Sequence, residues 1–132
     1  MKSINWSKYI LAFVLLWLPF LGNYSFADNG KLLYSGPYKD PGVCRDIDTG
    51  YESNTIEMEQ DVKIYEGYIQ IGRGLSGNYS HTTRSGSRVY RGSDGFGNRC
   101  TIYVTEDFEI YYDMTYVSQW GSSTCRVELK QL

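Results

Sequence analysis

Beyond residue 27, apolar and polar side chains take turns along the chain with a period of two. Between 55 and 65, Ile56, Met58, Val62 and Ile64 fall on one face and Glu57, Glu59, Asp61 and Lys63 on the other. Gln60 is the one polar residue on the apolar face. This period belongs to a half-buried β-strand. Glu66-Gly67 follows, then Tyr68-Ile69-Gln70-Ile71. Read as a two-residue turn, Glu66-Gly67 sets Ile64 against Ile69 and Val62 against Ile71 on one side. Tyr65 then meets Tyr68, and Lys63 meets Gln70, on the other. A slip of one residue would mix the faces. A bulge at Gly67 within one long strand also keeps them and is the second choice.

The region 99–117 repeats the pattern. Cys100, Ile102 and Val104 share a face, as do Phe108, Ile110, Tyr112 and Met114. A three-residue loop, Thr105-Glu106-Asp107, predicts Val104 against Phe108 and Ile102 against Ile110, with Asp107 left-handed. A last strand over 124–130 alternates Cys125, Val127 and Leu129 with Arg126, Glu128 and Lys130. A loop over 118–123 joins it to the strand before. No run of ten or more residues has helical spacing. The chain is therefore predicted to be all-β: a small antiparallel sandwich or partly closed barrel of about 6–8 strands built from hairpins.

The first 27 residues differ in kind. Lys2 and Lys8 precede a 14-residue apolar stretch, YILAFVLLWLPFLG, and Ser25-Phe26-Ala27 supplies small residues for a cleavage site. That is a signal-peptide layout, and the stretch is shorter than the about 20 residues of a membrane-spanning helix. Residues 1–27 are read as a signal peptide and 28–132 as one all-β domain, secreted or periplasmic, with no stable membrane span after cleavage. An uncleaved anchor is the alternative.

Export makes cysteine pairing the expectation. In an open meander, Cys100 and Cys125 lie two strand spacings of about 4.8 Å and several residues of rise apart. That exceeds the roughly 7 Å Cα limit for a disulfide. Cys44, in a Pro/Gly loop, is therefore one partner and Cys100 the favoured other. Cys125 is left free or as the alternative partner, and a closed barrel would reopen Cys100–Cys125. The unpaired cysteine offers a route to a dimer.

From Asp28 onward the chain keeps 11 of its 13 Lys and Arg and all 15 Asp and Glu, a net charge of −4. An acidic domain is a poor nucleic-acid binder. Residues 40–66 are acid-rich, while Arg73, Arg84, Arg88, Arg91 and Arg99 cluster further on. The two segments are expected to lie together and neutralise each other.

Motifs of chemistry are sparse. Gly72-Arg73-Gly74-Leu75-Ser76-Gly77 spells G-x-G-x-x-G, but Ser, Thr and Asn follow where a dinucleotide site needs a helix. It reads as the end of a strand running into a loop, and no cofactor is expected. His81 is the only histidine, so a Cys/His nucleophile would need it beside the leftover thiol. Glu57, Glu59, Asp61, Glu106, Asp107 and Glu109 are the candidates for a carboxylate pair, but they fall on exposed faces or turns. Asp94-Gly95-Phe96-Gly97-Asn98 lacks the ligand spacing of a calcium loop and reads as a turn. Asn78-Tyr79-Ser80 is a glycosylation sequon. Tyr65-Glu66 with Gly72-Arg73 resembles the Y-E-x-x-x-x-x-G-R signature of βγ-crystallin Greek keys over nine residues. The resemblance implies a β fold only, since Ser118 stands where a second copy starting at Tyr111 needs glycine. LYSGPYKDPGVC (33–44) and VYRGSDGFGNRC (89–100) echo each other at Tyr, Gly and Cys.

Eleven of the thirteen tyrosines lie beyond the leader. Tyr65, Tyr68, Tyr103 and Tyr111 point to the polar faces in these registers. A tyrosine ring suits protein or glycan surfaces. The sequence therefore predicts a non-catalytic domain that binds an extracellular protein or glycan through a tyrosine-bearing face. Two alternatives are a cell-surface assembly component that pairs edge strands, and a small secreted hydrolase or enzyme inhibitor.

Overall fold

The computed structural model describes residues 29–132. The predicted signal peptide lies outside the described residues. Ten strands follow one another: β1 (Leu32–Asp40), β2 (Val43–Asp46), β3 (Glu52–Asn54), β4 (Met58–Tyr65), β5 (Tyr68–Ile71), β6 (Leu75–Thr82), β7 (Arg88–Ser93), β8 (Arg99–Val104), β9 (Ile110–Ser118) and β10 (Gly121–Gln131). From β4 to β10 each strand pairs antiparallel with the next, and β1 pairs with β4. β10 then returns to β1 through Tyr38↔Gln131 and Lys39↔Lys130. The result is a closed eight-stranded barrel with β2 and β3 as an extension, so the predicted all-β fold is present as a barrel rather than a sandwich. Closure removes the exposed edges an open sheet would carry.

β2 prolongs β1 beyond a kink at Pro41-Gly42. Gly42 has a φ of +72°, and a Cβ there would stand 2.9 Å from the Glu57 amide nitrogen, so the kink needs glycine. β2 and β3 form a flap that stays on the barrel because β2 also pairs with β10, at Cys125↔Asp46 and Arg126↔Arg45.

The first predicted hairpin has its predicted register, with Val62↔Ile71, Lys63↔Gln70 and Ile64↔Ile69 around Glu66-Gly67. Gln60 faces the interior opposite Tyr38. Ile56 is exposed, because the strand expected from 55 starts only at Met58, past the kink. In the second hairpin the pairs are Ile102↔Tyr112 and Val104↔Ile110, two residues from the prediction. The loop spans five residues, and the left-handed residue is Phe108, with a φ of 61°. Tertiary contacts override local preference here. The Phe108 ring stacks on Tyr34 at 4.8 Å, and its carbonyl accepts the Tyr38 hydroxyl at 2.6 Å. The predicted loop 118–123 is also corrected: the ladder continues to Ser118↔Gly121, leaving only Gln119-Trp120 as the turn.

The G-x-G-x-x-G stretch is a hairpin. Ile71 pairs with Leu75 around Gly72-Arg73-Gly74, and the last glycine lies inside β6. The chain turns straight back into a strand instead of entering a loop, and no helix opens there. The strand order is a simple meander, so the βγ-crystallin resemblance does not extend to a Greek key.

Tyr38, Val62, Ile64, Ile69, Ile71, Tyr90 and Ile102 fill the interior, all fully buried. Gly77 and Gly92 are opposite each other on β6 and β7, and a Cβ on Gly92 would lie 1.8 Å from the Ser76 carbonyl oxygen. At one mouth, Arg88 donates to the Tyr90 hydroxyl at 3.0 Å and to the Glu66 carbonyl, and sits 4.3 Å from the Tyr79 ring. The Tyr90 hydroxyl donates to the Tyr65 carbonyl at 2.6 Å. The echoed Tyr34 and Tyr90 are both inward-facing, on walls four strands apart around the barrel.

The disulfide joins Cys44 to Cys125, with Cα atoms 5.5 Å apart, and Cys100 is free. This corrects the favoured Cys44–Cys100 pairing. The direct β2–β10 pairing brings Cys44 beside Cys125. Cys100 lies on the same row as Cys125, but Met114 stands between them, so two strand spacings of about 4.8 Å separate them even in a closed barrel.

Candidate binding surface

With the interior filled by side chains, the outer wall is where a ligand can reach this barrel. That wall carries Glu59, Asp61, Lys63, Arg91 and Arg126 rather than the apolar band of a lipid-embedded barrel.

The four predicted tyrosines do face outward, each half-buried. They do not form one face. Tyr65 and Tyr68 flank the β4–β5 turn, with ring centroids 6.4 Å apart, and the Tyr68 hydroxyl donates to Gln70 at 2.5 Å. Tyr103 and Tyr111 are cross-strand partners on β8 and β9. The two pairs are four strands apart in an eight-strand ring, hence on opposite walls.

Tyr103 and Tyr111 are the more organised pair. Their rings stack at 4.7 Å with 15° between the planes. The Arg126 guanidinium lies 4.6 Å from the Tyr111 centroid on the other side. Two bonds to Asp113, Nε to Oδ1 at 2.7 Å and Nη2 to Oδ2 at 3.0 Å, fix that guanidinium and push the arginine's pKa up. Val89, the partner of Tyr103 on β7, is only 1% exposed although it points outward. The ridge therefore runs Val89, Tyr103, Tyr111, Arg126 across four strands, with each flat group supporting the next.

Beside this ridge the outer surface is concave. A barrel wall is normally convex, but here residues of the β2–β3 flap, beyond the Pro41-Gly42 kink, line a concavity together with residues of β9 and β10. The resulting open groove has a volume of ≈ 990 Å³, with Tyr111, Arg126 and Glu128 on one side and Val43, Arg45 and Glu52 on the other. Arg45 and Glu52 bond to each other at 2.7 Å. Glu109, Glu128 and Lys130, also in the groove, stand outside the ion pairs found among the described residues. The β-pattern made Tyr111 visible from sequence. It also set Arg126 and Glu128 on the polar face of the last strand, but it could not reveal the groove, which depends on the flap.

The other candidate chemistry is dispersed. Cys100 is inside the barrel at 4% exposure, and burial pushes its thiol up to about 11. It is the free cysteine of the three, and its sulfur lies in the core rather than on the surface a second chain would meet. His81 is exposed on β6, with Nδ1 3.0 Å from Ser80 Oγ, so no Cys/His pair forms. Glu59 and Asp61 lie on β4 and Glu57 just before it, where Lys39 holds Glu57 at 2.5 Å; Glu106, Asp107 and Glu109 belong to the β8–β9 loop. Asp94 accepts from the Phe96 and Asn98 amides and from Asn98 Nδ2, each at 2.9 Å, closing its own turn. The later arginines do approach residues 40–66, Arg88 at the Glu66 carbonyl and Arg73 in the turn whose Gly72 amide bonds to the Asp61 carbonyl, but none of the three ion pairs found among the described residues joins the two segments.

The chain matches no protein-family model, no curated protein and no solved structure.

Proposed function

We propose that this barrel is a non-catalytic, extracytoplasmic recognition domain that binds a protein through the groove between the β2–β3 flap and the Tyr103–Tyr111–Arg126 ridge. The observation that carries the reading is the ridge itself. Stacked, bidentately pinned side chains lose little conformational freedom when a partner binds. The polar edges and the mixed charges of the groove suit a protein's surface. A sugar-stacking platform fits less well, because one face of Tyr111 is covered by Tyr103 and the other by Arg126. Edge-strand assembly has only short stretches to use, since closure leaves β3, the first residues of β1 and β4 and the β9–β10 tip unpaired on one side.

The test is photocrosslinking in the exporting cell. A benzophenone amino acid at Glu128, on the groove wall, is expected to give one discrete protein adduct. The same group at Lys63, on β4 two strands round the ring and outside the groove, is expected to give none. Equal labelling from both positions, or none from Glu128, would overturn the reading. Retention on immobilised glycans that is abolished by Tyr111→Ala would replace the protein with a sugar.

A further inference from the structure

β5, β6, β7 and β8 make up half of the ring, and they contain no Asp or Glu. Every acidic side chain of the sequence lies elsewhere, so an acidic protein has one wall built without acids. The registers lay the outward side chains of this wall out as a grid. One row runs Tyr68, Asn78, Arg91, Thr101, each opposite the one before. The next row runs Gln70, Ser76, Ser93, Arg99 in the same way. None of these side chains is aliphatic, and none lines the groove beside the ridge.

Arg91 and Arg99 are exposed and outside the ion pairs found among the described residues. They are diagonal neighbours, since Arg91 faces Thr101 and Ser93 faces Arg99. Diagonal positions on a sheet are about 7–8 Å apart, so both guanidinium forks can reach one anion. The acids that flank Arg99 and Thr101 are already engaged. Asp94 closes its own turn by accepting from the Phe96 and Asn98 amides and from Asn98 Nδ2. Its charge hinders ionisation of Cys100 and Tyr116, on the inward-facing side of their strands. Asp113, the partner of Thr101 on β9, is held by Arg126 through two bonds. The remaining positions around the two arginines carry hydroxyls and an amide, Ser76, Ser93, Thr101 and Asn78, which both donate and accept.

We propose that the outer wall of β5–β8 binds an acidic polysaccharide. Arg91 and Arg99 take an acidic group of the chain, and the neighbouring hydroxyls and amide bond to sugar hydroxyls. The make-up of the grid favours this occupant. A protein partner would find no apolar centre there, and a membrane no apolar side chain to bury. Single-stranded nucleic acid would find one ring, Tyr68, on which to stack its bases. A sugar chain needs only the fixed charges and the donors and acceptors already in place. The wall is separate from the proposed protein-binding groove, and either reading can fail without the other.

Isothermal titration of the purified protein with polygalacturonate and with dextran sulfate tests this, with neutral dextran as the control. At least one of the two acidic chains should bind, more weakly as salt rises, and neutral dextran should not. The one that binds tells whether the arginines take a carboxylate or a sulfate. Arg91→Gln and Arg99→Gln should each weaken binding about ten-fold, as loss of a charge-assisted bond does. Asn78→Ala, which removes no charge, should weaken it about three-fold. Lys31→Gln, at an exposed cation before β1, and Tyr111→Ala, on the ridge, should leave it unchanged. Far-ultraviolet circular dichroism of each variant checks that the barrel is intact. Binding of neither acidic chain overturns the proposal, as does binding that survives Arg91→Gln/Arg99→Gln. Equal binding of oligo(dT) with no effect of Asn78→Ala overturns it in favour of attraction by charge alone. Phosphatidylglycerol vesicles that bind more tightly than either chain, and lose that binding in the double variant, would overturn it in favour of a membrane.

Discussion

Replacing the disulfide by Cys44→Ala/Cys125→Ala removes the covalent tie between the flap and the last strand. The bridge spans 81 residues of sequence, most of the barrel. In the chain-entropy account a loop of 15 residues is worth about 3 kcal/mol and one of 100 about 4.7, which places this one near 4.5 kcal/mol. The native state has little to put in its place. β2 touches β10 at only two registered pairs, and β3 rests on β2 alone. A domain of this size has about 5–15 kcal/mol in total, so the variant should lose roughly a third or more of its stability. Urea titration, monitored by far-ultraviolet circular dichroism without reductant, measures it. The expected result is a lower midpoint together with a larger slope, because the uncrosslinked unfolded chain is more expanded. Cys100 is present in both proteins, so its chemistry cancels in the comparison. A loss below about 1 kcal/mol with an unchanged slope would mean that the bridge does not constrain the unfolded chain as reasoned. Peptide mapping that finds Cys100 in the bridge would refute the barrel's closing geometry outright.

Three further perturbations test other parts of the barrel. Gly92→Ala forces a methyl against the Ser76 carbonyl and should cost about 3 kcal/mol or more in urea titration, whereas Gly95→Ala, with nothing within 4 Å, should change stability by no more than about 0.5 kcal/mol; equal effects would refute the close strand contact. Tyr90→Phe leaves the Tyr65 carbonyl and Arg88 without their buried partner and should cost about 1–3 kcal/mol by the same assay. Burial raises the Cys100 thiol from 9.0 to about 11, so the folded state holds its proton more tightly than the unfolded one. The stability that comes with this is complete below pH 9 and is lost as pH rises to about 11, a difference of about 2–3 kcal/mol. Subtracting the pH profile of Cys100→Ala isolates it from the buried tyrosines, and two parallel profiles would count against a buried thiol.

What could be read from the sequence, and what could not, divides along the geometry of a strand. Facing is a property of period two, and it survives an error of two residues. That is why Ile102, Ile110 and Tyr112 were placed inward correctly although the loop near Phe108 is longer than predicted. The left-handed position moved from Asp107 to Phe108 because Tyr34 and Tyr38, distant in sequence, hold that ring and carbonyl. Closure depends on equally distant partners, Tyr38 with Gln131, and on a kink that only Pro41-Gly42 hints at. The cysteine assignment inherited that gap, since Cys44 reaches Cys125 only if β2 lies against β10.

The candidate surface was half legible for the same reason. Outward pointing can be read along one strand, and Tyr65, Tyr68, Tyr103 and Tyr111 all point outward. Position around the barrel is set by how many strands intervene and by whether the sheet closes, so the four could not be assigned to a common face from alternation. Once eight strands close into a ring, the β4–β5 pair and the β8–β9 pair must be on opposite walls. Only the second then lies within reach of the flap, because β10, which carries Arg126, is the strand that β2 joins. The groove thus follows from one local feature, the glycine kink after Pro41, acting on one non-local pairing. A change at Gly42 should disturb the groove before it disturbs the barrel, since the ladders from β4 to β10 do not pass through it.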